Sequence, residues 1–202
     1  MAGGSATSRF LNGLLPLDVP AGSQFVRVHQ KIHSPVFFGP ASGIPPQNRF
    51  DAPGGEYRVL YGARELPGAF VETVLRKPGR VLRRAIVNDR AWSRLQIQRP
   101  LRLAKLYDEG LHWHGVDAGD LSIENYAPSR RLALDLYLAF SDLDGIAYRS
   151  RYDNGQICFA FFDRVALVEL NPLHTQEFET VPTVVDQLMA LYGAVFDTSR
   201  PP

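Results

Sequence analysis

The sequence contains little cysteine and no long apolar run. Cys158 is the single cysteine in 202 residues, which excludes an intrachain disulfide framework and a zinc site built from several cysteines. No apolar stretch is long enough for a transmembrane helix, and the first residues lack the basic and apolar regions of a signal peptide. These absences predict a cytoplasmic protein that does not associate with a membrane.

An excess of charge of one sign is also lacking. The chain has 22 Lys and Arg against 21 Asp and Glu, a formal net charge of +1, so charge gives no general reason to expect nucleic acid binding. A hydrophobic fraction of 45% is ordinary for a globular protein and excludes disorder. The length favours one domain. We predict a loose N-terminal lead-in over residues 1–22, rich in small residues and proline, and a single domain over residues 23–202.

Short strands and helices follow one another without regular β-α-β alternation, which predicts an α+β fold. Apolar patterning predicts strands at residues 25–28, 57–62, 80–87, 101–106, 146–149, 157–162 and 165–170. Helical spacing predicts helices at residues 66–76, 128–140 (capped by Ser129) and 183–196. Five prolines and four glycines predict a long loop at residues 34–55, and Asn154-Gly155 predicts a tight turn with positive φ angles.

Three polar residues inside or beside apolar elements are candidates for chemistry, and each has a simpler explanation. Arg27, in the middle of a strand, is either a solvated sheet residue or a fork for phosphate or carboxylate. Glu72, in a helix, either pairs with Arg76 at i, i+4 or shares a cleft with Tyr61. Ser150, at a strand end, either satisfies a turn or belongs to a site. No G-x-S-x-G surrounds Ser150, so a hydrolase nucleophile is not indicated.

His112 and His114, with nearby carboxylates, resemble a metal motif at first sight. Residues i and i+2 do not share a helix face, and HExxH is absent. A metal centre needs at least three converging ligands. We therefore expect no metal.

A basic band runs from Arg76 to Lys105, and it contains one acid, Asp89. Its ten members are Arg76, Lys77, Arg80, Arg83, Arg84, Arg90, Arg94, Arg99, Arg102 and Lys105. Fifteen of the 21 acids lie after this band. We consider three interpretations of the band, in order of preference: a solvated face, a surface that binds an acidic protein partner, and a surface that binds nucleic acid.

The order of several motifs is more specific than any one of them. The chain reads FVRVH, then RF at Arg49-Phe50, then YGA-x8-E from Tyr61 to Glu72, and finally DGIAYRS ending at Ser150, followed by an Asn-Gly turn and an apolar strand. In this order the chain resembles the RES-domain family, named for an Arg, a Glu and a Ser. The resemblance covers roughly residues 23–170.

The resemblance implies a fold similar to that of the ADP-ribosyltransferase toxins, with a split mixed β core and helices around an NAD cleft. It implies NAD+ as substrate, no metal, and a role as the toxin of a toxin–antitoxin pair. The partner implied is a small Xre-type antitoxin that blocks the cleft. Members either break NAD+ down, by hydrolysis or phosphorolysis, or transfer its ADP-ribose to a protein.

Matched residue by residue, the family pattern assigns roles to five side chains. Arg27 would hold the pyrophosphate, with help from Arg49. Tyr61 would stack on the nicotinamide or ribose. Glu72 would stabilise the developing oxocarbenium charge, and Ser150 would bind the nicotinamide ribose or orient the Glu72 carboxylate.

Two other functions remain open from the sequence. One is a true ADP-ribosyltransferase that modifies a protein. The other is a non-catalytic interaction module that uses the basic band from Arg76 to Lys105, although the joint presence of Arg27, Tyr61, Glu72 and Ser150 argues against it.

Overall fold

A single eight-stranded mixed sheet organises the chain, and a two-stranded parallel sheet lies beside it. The computed structural model describes residues 10–41, 43–76 and 81–198. Within these ranges, none of the helices is long and apolar enough to span a bilayer. The strands are Pro16–Val19 (β1), Gln24–Gln30 (β2), Val59–Ala63 (β3), Val81–Leu82 (β4), Arg90–Ile97 (β5), Leu101–Leu106 (β6), Gly145–Arg149 (β7), Ile157–Phe162 (β8), Leu170–Glu177 (β9) and Val195–Phe196 (β10). The predicted α+β class is confirmed.

The large sheet is split near its middle. Its strand order is β1-β6-β7-β8-β3-β2-β5-β9, in which only β6 and β7 pair in parallel. Strand β2 pairs with β5 over seven residues, and β3 pairs with β8 over five. Between them, β2 and β3 are joined in register only at Val26 and Ala63. The two halves therefore diverge from this point, and side chains of β2 and β3 can line a space between them.

The close approach of β2 and β3 requires glycine at position 62. A Cβ atom on Gly62 would lie 2.6 Å from a ring carbon of Phe25 and 3.2 Å from the Val26 carbonyl oxygen. The glycine of the YGA motif is therefore explained by packing at the split, because any side chain would force the two strands apart.

Helices cover one face of the large sheet. They are Leu66–Thr73 (α1), Arg84–Asn88 (α2), Glu109–Trp113 (α3), Ala118–Ser122 (α4), Ala127–Ala139 (α5) and Pro182–Leu191 (α6). Successive residues of a strand point to opposite faces, so Val26 and Phe162 join the core under the helices while Phe25 and Phe161 join a second core on the other face. Both cores are apolar at these positions, and each includes residues of β2 and β8.

Several predicted elements differ from the observed ones. Residues 80–87 were expected to form a strand, but the described part forms the short β4 and the helix α2. The long strand that follows, β5, escaped prediction because its buried face includes Ser93 while its half-buried face carries Trp92. Residues 165–170 were also expected to be a strand, but Leu167–Glu169 forms a 3-10 turn. The mostly exposed edge strand β9 begins only at Leu170, and its polar sequence lacks a strand pattern.

Element ends and turns account for the remaining differences. Residues 183–196 were expected to be one helix, but α6 ends at Leu191 and β10 follows. Ser129 is not the cap of α5, because Tyr126 occupies that position. Asn154 and Gly155 form a turn without positive φ angles, since the connection between β7 and β8 is longer than a two-residue hairpin. Strand β1 lies inside the predicted lead-in and belongs to the sheet, while residues 1–9 lie outside the described ranges.

Two buried histidines predict a loss of stability in acid. Burial lowers the pKa of His29 below its ordinary value of 6.5, and the Gln30 carbonyl opposes this only in part. Burial likewise lowers the pKa of His114. The unfolded chain therefore binds protons that the folded chain does not, and the free energy of unfolding should fall as the pH drops below about 6.5. For each histidine the slope is at most about 1.4 kcal/mol per pH unit.

Urea unfolding between pH 7.5 and pH 5 measures this slope. His114→Leu should reduce it, whereas His112→Gln, a change at an exposed position of the same motif, should leave it as in the wild type. An equal slope in the His114→Leu and wild-type proteins would show that His114 does not contribute.

Candidate active site

A cavity opens where the sheet splits, between β2, β3 and the helix α1. It is lined by Arg27, Val28, Asn48, Arg49, Tyr61, Gly62, Ala69, Glu72, Thr73, Arg76, Tyr126, Tyr148 and Tyr152. Four of the five residues singled out in the sequence therefore lie on one cavity, although they are up to 45 residues apart in the chain. The lining combines three guanidinium groups, one carboxylate and four tyrosines, which suits an anionic ligand with flat rings.

Ser150, the fifth residue, lies directly behind Glu72. Its Oγ donates a hydrogen bond of 2.7 Å to Glu72 Oε1, and the Arg151 backbone N–H donates to the same oxygen at 2.9 Å. Ser150 Oγ also accepts hydrogen bonds from the Tyr152 and Asp153 backbone N–H groups. With an exposure of 1%, Ser150 orients the Glu72 carboxyl from behind.

These hydrogen bonds hold the Glu72 carboxyl in one orientation. Within the described residues no group donates to Oε2, so both strong contacts fall on Oε1. The surface pair with Arg76 that its spacing predicts does not form. Arg76 donates instead to the Glu72 backbone carbonyl at 2.9 Å and to Asn48 Oδ1 at 3.0 Å. The Glu72 side chain is 20% exposed, so its carboxyl remains accessible from the cavity.

Arg27 reaches the cavity from β2 with its charge uncompensated. Its Nη1 donates a 2.7 Å hydrogen bond to the Phe37 carbonyl. No carboxylate of the described residues lies within ion-pair distance of it. Burial lowers the pKa of Arg27 to about 10, which still leaves the guanidinium charged at neutral pH. A half-buried cation held in place by a carbonyl is arranged to accept an anionic ligand.

Arg49 lies deeper, at the floor of the cavity. Its side chain is 6% exposed, and its Nη2 is 3.9 Å from Glu72 Oε1. The guanidinium stacks on the Tyr148 ring at 5.1 Å from the centroid. Its Nε has no hydrogen-bond partner among the described residues. A buried guanidinium with a free donor costs free energy unless a ligand uses it, so Arg49 is a second group arranged for an anion.

Tyr61 presents its ring to the cavity while its hydroxyl is held behind. The hydroxyl donates to Asp51 Oδ1 at 2.9 Å and accepts from the Phe50 N–H at 3.0 Å. Burial raises the pKa of Tyr61 well above its ordinary value, and the charge of Asp51 adds to this effect. Tyr61 therefore stays protonated and acts as a wall rather than as a base.

Other lining residues were missed by the sequence analysis. Asn48, Tyr126, Tyr148 and Tyr152 lie in loops or strands far apart in the chain, and none of them was singled out. Arg76 was considered only as a partner for Glu72 and as part of the basic band. Two of the missed residues had a local signal, since neighbours of a matched residue are natural candidates: Asn48 directly precedes the RF pair, and Tyr148 lies within DGIAYRS.

The histidine motif and the basic band are the two other candidate features of the sequence. Within the described ranges no group of three His, Cys, Asp or Glu side chains could hold a metal. His114 is buried against Phe10, and His112 is exposed. In the basic band, four members have acidic neighbours, in the pairs Arg84–Asp186, Arg99–Asp144, Arg102–Asp142 and Lys105–Glu109. Lys77 and Arg80 lie outside the described ranges, and the rest of the band is spread over several elements.

Comparison with known proteins identifies the family of the chain. The model of the RES domain matches residues 24–181, most of the chain. The chain belongs to the RES-domain family. The fold of this RES domain is similar to that of a chain in the crystal structure of the M. tuberculosis MbcT–MbcA toxin–antitoxin complex, with a TM-score of 0.65. The two are 11% identical, and the match covers 92% of this chain and 94% of that one. None of the curated proteins matches the sequence.

The family match spans every residue that lines the cavity, together with Ser150. The RES-domain boundaries also include the segment that carries Arg49 and the loop of residues 34–55. The split sheet with helices around a cleft agrees with the fold expected from the resemblance, and the structural similarity confirms it.

Proposed function

We propose that this RES domain is an enzyme that cleaves the nicotinamide–ribose bond of NAD+ and acts as the toxin of a toxin–antitoxin pair. One observation carries the proposal: the Glu72 carboxyl, oriented by Ser150, faces a cavity that also holds the guanidinium groups of Arg27 and Arg49. The opposite charges of NAD+, an anionic pyrophosphate and a cationic nicotinamide ribose, match this arrangement.

The pyrophosphate would bind the arginines. Arg27 is fixed through the Phe37 carbonyl, and Arg49 is held against the Tyr148 ring; both residues line the cavity, so their guanidinium groups can offer N–H donors to phosphate oxygens. Charge-assisted hydrogen bonds from a guanidinium fork are the strong kind, particularly where water is excluded. Two such groups would fix the dinucleotide so that its nicotinamide ribose lies beside Glu72.

Cleavage of the nicotinamide–ribose bond needs little acid catalysis of the leaving group. Nicotinamide leaves as a neutral molecule, because the glycosidic bond electrons neutralise its positive ring nitrogen. The ribose carbon then carries the developing positive charge, and a carboxylate held nearby stabilises it. Glu72 would supply that carboxylate, Ser150 would keep it in place, and the ring of Tyr61 would stack on the nicotinamide or ribose.

The acceptor of the ADP-ribosyl group determines the reaction class. Attack by water gives ADP-ribose, and attack by inorganic phosphate gives ADP-ribose phosphate. Attack by a protein side chain would make the domain an ADP-ribosyltransferase, which is the second candidate function. The interaction-module alternative is less favoured, because four arginines or lysines of the basic band are already beside acids.

The proposal extends to a partner and a location. The MbcT–MbcA structure is a toxin–antitoxin complex, which supports an antitoxin partner for this chain, and we propose the Xre type. An antitoxin that inserts into the cleft would have to bring an acidic or aromatic group to Arg27 and Tyr61. NAD+ is a cytoplasmic metabolite, so a cytoplasmic location agrees with the proposed substrate.

The decisive experiment measures the NAD+ concentration over time in the presence of purified protein, in buffers with and without inorganic phosphate. We expect loss of NAD+ with release of one nicotinamide for each NAD+ consumed. Phosphate dependence would identify phosphorolysis, and label from the adenylate half on a protein would identify the transferase. If NAD+ stays intact without phosphate, with phosphate and in the labelling assay, the proposed function is contradicted.

A further inference from the structure

Asp51 is a completely buried acid that lies just outside the cavity. Its exposure is 0%, and it follows the RF pair of the family pattern. Its Oδ2 accepts hydrogen bonds from the backbone N–H groups of Gln47 at 2.8 Å and Asn48 at 2.7 Å, and from Asn48 Nδ2 at 3.3 Å. Its Oδ1 accepts from the Tyr61 hydroxyl at 2.9 Å. Four donors on one carboxyl group are a costly arrangement to lose.

These bonds fold the segment of residues 47–51 around the carboxyl. The same segment is held from the other side by α5. Ser129 Oγ donates to the Arg49 carbonyl at 2.9 Å, and Arg130 Nε donates to the Asn48 carbonyl at 2.9 Å. The backbone on either side of Arg49 is therefore fixed, whereas the Arg49 side chain keeps a free Nε.

The second oxygen of Asp51 ties this segment to β3. The Tyr61 hydroxyl donates a hydrogen bond to Asp51 and accepts one from the Phe50 N–H, so it links the loop to the strand on the opposite side of the cavity. A polar network in which each member is satisfied holds its geometry firmly. The relative placement of Arg49 and the Tyr61 ring is thus decided at Asp51.

We propose that Asp51 is a positioning residue: it fixes the segment of residues 47–51 and the Tyr61 hydroxyl, and thereby places the Arg49 guanidinium to bind the anionic part of the substrate. The inference rests on the proposed function for the identity of the substrate. It assigns no contact between Asp51 and the substrate, because the carboxyl is fully buried and occupied by protein donors.

The test is calorimetric titration of the full-length protein with inorganic pyrophosphate. Asp51→Asn keeps the shape but can accept hydrogen bonds on only one side, so Arg49 loses its fixed position. We expect the Kd for pyrophosphate to rise about ten-fold in Asp51→Asn. In an Arg49→Ala background, the same change should raise the Kd by less than about two-fold, since its effect passes through Arg49.

A merely structural role gives a different result. Partial unfolding lowers the number of binding sites in the titration and leaves the Kd unchanged. Glu56→Gln removes an exposed carboxylate of the same loop, which accepts from the Gly54 N–H, and it should bind pyrophosphate like the wild type. An unchanged Kd in Asp51→Asn, or a full ten-fold rise that persists without Arg49, would overturn the assignment.

A second variant covers the case in which Asp51→Asn does not fold. Tyr61→Phe leaves the carboxyl in place and removes the hydroxyl that joins it to β3, so the Kd should rise about three-fold, and only when Arg49 is present. No rise would overturn the assignment, as would a wild type that does not bind pyrophosphate. A wild type that binds pyrophosphate and leaves NAD+ intact would instead contradict the proposed function and leave the role of Asp51 standing.

Discussion

Glu72→Gln is expected to lower kcat for NAD+ cleavage by roughly 10² to 10³. The amide keeps the size of the side chain, and its oxygen can still accept from Ser150 Oγ and the Arg151 N–H. It lacks the negative charge that stabilises the oxocarbenium-like transition state. The loss should therefore appear in kcat rather than in the KM for NAD+, because the charge on the ribose develops only during the reaction.

The measurement is initial-rate release of nicotinamide at saturating NAD+. Glu65→Gln provides a matched control, since Glu65 is exposed and lies just before the same helix, α1. It should retain the wild-type rate. A Glu72→Gln protein that is folded and keeps more than about a tenth of the wild-type kcat would remove Glu72 from the mechanism.

Arg27→Ala is expected to lower kcat/KM by roughly 10², chiefly through a higher KM for NAD+. Arg27 has no acidic partner among the described residues, and its pKa is lowered by burial to about 10. Its removal therefore leaves no protein group unpaired except the Phe37 carbonyl. The effect on folding should be small beside the effect on anion binding.

Initial rates over a range of NAD+ concentrations separate the two constants. Arg27→Lys keeps the charge without the fork and should lie between Ala and wild type. Arg64→Ala, a change at an exposed arginine directly after β3, serves as the control and should leave both constants unchanged. Equal KM values for Arg27→Ala and wild type would show that the pyrophosphate binds elsewhere.

The local sequence was sufficient where a strong pattern lies within one element. The strand β8 and the helix α5 were predicted to within one or two residues, because continuous or helically spaced apolar residues leave few alternatives. The strand β9 was missed, because an exposed edge strand has no buried face to impose alternation. The end of α6 was misplaced although Gly193 marks it: this glycine follows the last turn with a positive φ of 58°, the usual stop of a helix, and β10 begins two residues later.

The candidate site shows the same division. The sequence predicted which kinds of chemical group the site contains. An arginine in a strand and a glutamate in an apolar helix are uncommon, and their order along the chain matches a family pattern. The role of Ser150 was left open between substrate and Glu72, and the structure shows a 2.7 Å hydrogen bond to Glu72. Asp51 was not singled out, since a single acid in a Pro-rich loop gives no sign of being buried.

Residue identity and order along the chain were sufficient to predict the family, the mixed fold class and the charged residues Arg27, Arg49 and Glu72. Which residues meet at the cavity depends on the tertiary structure. The separation of β2 and β3 beyond Val26 and Ala63 creates the cavity, and Asp51 acquires its role from donors 3 to 10 residues away. Such contacts depend on chain packing in three dimensions, and local sequence patterns do not contain them.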